Sequence, residues 1–174
     1  MNKKALNLGI LMGVIGILLF LLIAIIEPGM VLSSVLGLAG FAFAIILPII
    51  FIRKEREAQG GFITFGDAFK IGFFGLVIGG LIGTGFQILY TQIIDPEFGA
   101  RMTAKSLEMT NSFMEGNMSD DLRETQLREM EKTMGEQYTI AGMLKTFGYV
   151  AIFYAVLSLI LALILKKSPE GAAS

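Results

Sequence analysis

The chain has 174 residues, of which 54% are hydrophobic and 17% charged, against about 25% charged in ordinary soluble domains. It contains no Cys and no His, which excludes disulfides, thiolate sites, histidine-ligated haem and a histidine-based pH switch. The formal net charge of −1 is a poor guide, because the charges are sorted along the chain.

Residues 5–26, 30–52, 71–94 and 146–165 contain no Asp, Glu, Lys or Arg. Each run is long enough for a helix to cross the hydrocarbon core, which takes about 20 residues. The pattern predicts a single all-α domain over 1–174: an integral membrane protein with four transmembrane helices at 5–26, 30–52, 68–94 and 143–165. A cytoplasmic loop is expected at 53–67 and an external helical hairpin at 95–142, between the third and fourth spans.

The first run follows Lys3 and Lys4, as a signal peptide would. It is longer than the usual apolar core of about 7–15 residues, and "AIIEPGM" offers no small-residue cleavage site. It is expected to remain as an anchor. A tight turn at Glu27–Gly29 leads to the second span, where Pro48 is a candidate kink.

The stretch "GGFITFGDAFKIGF" (Gly60–Phe73) then opens the third span. Gly60 and Gly61 end the charged loop in a turn. Thr64 and Asp67 have the spacing of a loose capping box, with Asp67 at the positive end of the helix dipole. Lys70 can pair with Asp67 or reach back to the headgroups. Phe62, Phe65 and Phe69 are placed at the interface. Thr64, Asp67 and Lys70 are therefore read as the residues that bring a helix into the membrane. No acid, base or metal ligand accompanies Asp67, so chemistry there is the weaker reading.

"FITFGDAFKIGF", together with "ILYTQIIDPEF" (Ile88–Phe98) beyond the span, resembles a family of bacterial multi-pass membrane proteins catalogued as domain of unknown function 4199. The resemblance covers nearly the whole chain: four spans, the Phe-Gly-x-Ala-Phe-Lys start and the Ile-Asp-Pro exit. It implies a small Gram-negative membrane protein, and it brings no catalytic residues with it.

Every span carries small residues three or four apart: Ala5, Gly9, Gly13, Gly16; Ser33, Gly37, Gly40, Ala44; Gly72, Gly75, Gly79, Gly83; and Ala151, Ala155, Ser158, Ala162. Each set lines one helical face and lets backbones approach. The Gly72–Gly83 face reads first as packing within the bundle and second as a homodimer seam. No ionisable side chain lies in the middle of a span, although proton relays, ion-coupled carriers and voltage sensors generally need one. Thr84 and Gln87 are the main polar pair at depth, expected to make interhelical hydrogen bonds.

In the segment after the third span, Asp95 is expected to cap a helix with Pro96 in its first turn. Phe98, Met102, Met109 and Phe113 would form its apolar face. "EGNMSDD" breaks the pattern, and Ser119 would cap a second helix bearing Leu122, Met130, Met134 and Tyr138, with a Glu124–Arg128 pair opposite. Seven of the ten methionines fall in this part of the chain. They read as an adaptable apolar face before a Cu(I)-handling loop.

Orientation follows the basic residues. Lys3, Lys4, Arg53, Lys54, Arg56, Lys70, Lys166 and Lys167 fall on one predicted side, whereas Asp95–Lys145 has 6 basic and 10 acidic residues. Both termini are expected in the cytoplasm of a bacterial inner membrane. The expected function is a non-enzymatic interaction or accessory protein of the envelope, with a solute transporter or Met-based metal handler as the alternative. Neither a Gly-x-Gly-Asp pair nor a Gly-x-Ser-x-Gly elbow occurs. No cofactor and no nucleic acid are expected. The partners foreseen are lipid and either a second copy or an envelope protein.

Overall fold

A computed structural model describes residues 3–26, 30–115 and 118–168. It is helical throughout: α1 (Lys3–Ile26), α2 (Met30–Ala58), α3 (Phe65–Leu89, continued by a π turn, Tyr90–Ile94), α4 (Phe98–Met114), α5 (Asp120–Gln137) and α6 (Ile140–Leu165). Four of these, α1, α2, α3 with its π turn, and α6, are long and apolar enough to cross a membrane. The expected turn at Glu27–Gly29 and the middle of the expected break after α4 lie outside the described residues.

Helix α3 is the central post. It lies parallel to α1, with Gly9 beside Gly75 and Ile78 and Gly13 beside Ile82. Against it α6 runs the other way, with Ser158 at Gly72, Phe147 at Gly80 and Met143 at Thr91. Helix α2 runs with α6, touching it through Phe41 and Phe153 and through Arg56 and Leu165.

One end of the bundle gathers the basic residues of the short segments. Lys4 pairs with Glu55 at 3.6 Å. The Arg56 guanidinium donates to the Leu165 carbonyl at 3.5 Å. Ile63 and Lys167 exchange two backbone hydrogen bonds of 3.0 Å in an isolated antiparallel bridge. The main buried cluster, with Leu8, Ile52, Ile63, Ile71, Leu161 and Leu165, lies at this basic end.

Helix α2 runs through residues 53–58, which were expected to begin a loop, and the connection shrinks to a few residues. Strong helix formers occupy that stretch, Gln59 bonds Glu55 at 3.0 Å, and the first breakers are Gly60 and Gly61. Those two glycines sit at φ 81° and 95°, in the left-handed region that side chains with a Cβ avoid.

Candidate functional site

The start of α3 is built from local hydrogen bonds. The Thr64 hydroxyl accepts from the Asp67 N–H at 3.1 Å and donates to the Asp67 carboxylate at 2.8 Å. This departs from a full capping box, in which the acidic side chain reaches the cap backbone N–H. Lys70 stands 3.9 Å from Asp67, and both side chains are well exposed. Phe65, Phe69 and Phe73 stack one turn apart, and Lys167 lies 5.9 Å over the Phe62 ring. No second acid or base converges on Asp67 among the described residues.

The four glycines of α3 have different surroundings. A Cβ on Gly75 would stand 2.5 Å from Leu8 Cδ2, and one on Gly79 2.5 Å from Met12 Cβ. A Cβ on Gly72 would stand 3.1 Å from the Ser158 hydroxyl, which is buried and unpartnered among the described residues. Around Gly83 there is nothing within 4 Å, and the same holds for Gly16 on α1.

That open space is a cavity of about 420 Å³. Its walls come from all four spans: Gly16 and Phe20 from α1, Phe43 from α2, Gly83, Thr84 and Gln87 from α3, and Thr146, Phe147 and Tyr154 from α6. Thr84 and Gln87, expected to bond between helices, instead face this cavity without a hydrogen-bond partner for their side chains among the described residues. The Thr146 and Tyr154 hydroxyls share that state. Aromatic residues 20, 147 and 154 were not singled out from the sequence. Their signal is weak, since phenylalanine in an apolar span is ordinary.

Above the cavity, at the end opposite the basic residues, an aromatic cluster joins α1, the π turn of α3, the start of α4 and the end of α5. Phe20 lies 5.3 Å from Tyr90 and 5.5 Å from Phe98, and Phe98 lies 5.9 Å from Tyr138, ring centre to ring centre. The π turn helps set it: the extra residue per turn leaves the Asp95 N–H bonding the Tyr90 carbonyl at 2.7 Å. Within it the Thr91 hydroxyl donates to the Gln87 carbonyl at 2.9 Å, and Gln92 donates to the Tyr138 carbonyl at 3.3 Å. Burial pushes the Tyr138 phenol above its ordinary value.

Helices α4 and α5 pack on each other between α3 and α6, with the start of α4 against Tyr138 at the end of α5. Several expectations change here. Glu97, not Asp95, immediately precedes α4 and makes no side-chain cap bond. The backbone N–H groups of Glu97 and Phe98 favour the charged Asp95 carboxylate, which the Arg101 guanidinium holds in a two-pronged pair at 2.9 and 2.7 Å. That hydrogen bond holds the Asp95 carboxyl below the usual carboxylate range. Ser119 precedes α5 without a side-chain cap bond. Phe98 is buried and Met102, Met109, Met130 and Met134 are half-covered, but Phe113 is 70% and Leu122 58% exposed. The covered face of α5 runs through Arg123, Leu127, Met130 and Met134, one residue round from the expected start. Glu124 and Arg128 form the expected pair. A second hollow of about 630 Å³ lies between α4 and α5, and the buried, unpartnered Thr103 is on its wall. Among the described residues no cluster of three acidic side chains has metal-binding geometry.

No curated protein and no solved structure matches this chain. A family model described as "Protein of unknown function (DUF4199)" matches residues 7–167, which takes in all four spans, the α3 start and the aromatic exit. The chain belongs to that family.

Proposed function

We propose that this is a small, non-enzymatic multi-pass protein of the bacterial inner membrane that acts as an accessory or interaction protein of the envelope. In this reading both termini face the cytoplasm and the α4–α5 pair stands outside, where a second protein docks. The observation that carries it is the sorting of charge in three dimensions. Lys4, Arg56 and Lys167 meet at one end of the bundle, and the acid-rich α4–α5 pair lies between the opposite ends of α3 and α6. Positively charged short segments are retained on the cytoplasmic side.

The exposed Phe113 and Leu122 flank the connection between α4 and α5 and supply the apolar contact points. Single cysteines test the orientation cleanly, since the chain has none of its own. In intact spheroplasts an impermeant thiol reagent labels a Cys at Glu124 and spares one at Gln59; the reverse pattern overturns the orientation. A photo-crosslinking residue at Phe113 in native membranes captures a protein partner or a second copy, and capture of neither overturns the interaction role. The alternative, a protein that binds or moves a small solute, draws on the cavity among the four spans.

A further inference from the structure

We infer that the cavity among the spans is a binding site for an uncharged, membrane-dissolved molecule with an apolar body and carbonyl oxygens. Its volume of about 420 Å³ falls within the range of small-molecule sites, roughly 300–1,000 Å³, which are mostly apolar with a few placed polar groups. No Asp, Glu, Lys or Arg lines it, so a charged ligand would go uncompensated at membrane depth.

The polar groups are the stronger argument. These groups are accessible rather than sealed in, but a hydroxyl or amide that opens on the bilayer interior without a partner is costly, and a helical Ser or Thr has a ready remedy in bonding back to the preceding turn. Thr91, Thr125 and Thr133 each take that remedy, at 2.9 Å. Thr84 and Thr146 do not, and neither they nor Gln87 and Tyr154 have a side-chain hydrogen bond among the described residues. All four face one space. The hydroxyls and the Gln87 amide can each donate and accept; their oxygens can accept from one another, which leaves their remaining donors for acceptors on a ligand. Carbonyl oxygens accept without needing an acceptor in return.

The apolar part of the ligand is held by Phe20, Phe43 and Phe147, and room for it exists because Gly16 and Gly83 carry no side chain. Phe20 and Tyr138 of the aromatic cluster stand at its far end beside Gln137, and a molecule dissolved in the bilayer enters from the side. The route lies along α2, where contact fades outward: Ala44 is buried, Gly40 is 3.5 Å from Leu19, and Gly37 touches nothing. Two membrane components present this chemistry, the ring carbonyls of a quinone and the ester carbonyls of a glycerolipid. The inference stands apart from the docking role of α4–α5, and holds for either orientation of the termini.

The full chain, purified in detergent at fixed micelle concentration, is titrated with a decyl-tailed 1,4-benzoquinone and separately with dioctanoylglycerol. Binding is read as a saturable rise in the thermal unfolding midpoint and as displacement of the radiolabelled probe. Gly83→Leu fills the cavity from α3 and Gly16→Leu fills it from α1. Gly85→Leu is the matched control, exposed on the same helix with open space around it and absent from the wall. The expected result is saturable binding of one probe or both by the wild type and Gly85→Leu, weakened at least about tenfold, about 1.4 kcal/mol, in either filling variant that keeps its helical circular dichroism. Quinone binding alone assigns a ring-bearing ligand, and diester binding alone a glycerolipid. Absence of saturable binding of both probes overturns the inference, as does equal binding by the folded filling variants.

Discussion

The two halves of the bundle use the same residue type to opposite ends. At the basic end, Gly9, Gly75 and Gly79 let α1 and α3 come together until Leu8 and Met12 occupy the space where side chains would be. At the far end Gly16 and Gly83 have no neighbour within 4 Å, and the space they leave is the cavity. The first half is a seam and the second a chamber with aromatic rings at its far end. Small residues at steps of three or four therefore mark a face of low volume. Whether a neighbour fills that face depends on how far apart the helix axes stand.

The sharpest way to break this comparison is to place the same side chain on both halves. Gly75→Leu drives a leucine into the Leu8 side chain, and is expected to cost about 3 kcal/mol or more, at the upper end of overpacking effects. Gly83→Leu enters open space and is expected to stay within about 1 kcal/mol of the wild type, since leucine loses less backbone entropy in a helix than glycine. Unfolding of both variants in mixed micelles gives the two values, and a similar loss for both would erase the distinction between seam and chamber.

Phe98→Ala tests the aromatic end of the bundle. Phe98 is 2% exposed and meets Phe20, Tyr90 and Tyr138. Its truncation is expected to cost about 3 kcal/mol, within the range for a buried aromatic ring. Hydrogen exchange should quicken across α4 and α5 while the basic end of α1 and α3 remains protected. Equal loss of protection at both ends would mean that the halves unfold as one unit.

Thr64→Ala probes the basic end with a smaller change. Loss of the bond to the Asp67 N–H is expected to cost about 1 kcal/mol and to fray the first turn of α3. The same exchange measurement should show no change in α4. Asp67→Asn keeps an acceptor near the cap and should disturb less.

The smallest effect is one of pH. Asp95 titrates below its ordinary value of 3.8 because Arg101 bonds its charged form. A lowered folded-state value means the unfolded chain takes up the proton first. The contribution is therefore complete well above pH 3.8 and fades as pH falls below it. The pair is exposed, so the loss should appear only as faster exchange at the start of α4 on acidification. Asp95→Asn should remove that pH dependence, and its persistence would place the titrating group elsewhere.

Much of this was legible in the sequence because the signals are local. Length and apolarity mark the spans, since an uninterrupted run of that kind has few stable alternatives. Thr64 and Asp67 lie within one turn, so their spacing suffices to predict that they interact. The glycine faces follow from helical period alone. Other readings failed where a competing partner or one more turn of helix decided the outcome. Asp95 was read as a cap because Pro96 follows it; the Glu97 and Phe98 N–H groups do favour its charge, but α4 starts only after Glu97, and Arg101 also holds the carboxylate. Leu122 was placed on the covered face of α5 by its spacing to Met130, and Leu127 and Arg123 define that face instead. Phe113 was matched to Phe98 by period, yet the two helices do not cover it.

By itself the sequence determined four apolar helices, the sorting of basic residues toward the segments that share one end, and the chemistry at the start of α3, because each depends on residues near one another along the chain. Only the tertiary structure decided which glycines are filled and which are empty, that Thr84, Gln87, Thr146 and Tyr154 face one space, and that Phe20, Tyr90, Phe98 and Tyr138 cluster at its far end. The reason is geometric. Those relations depend on the separation and rotation of helices distant in sequence, and a helical period fixes the face on which a residue lies without fixing what stands opposite.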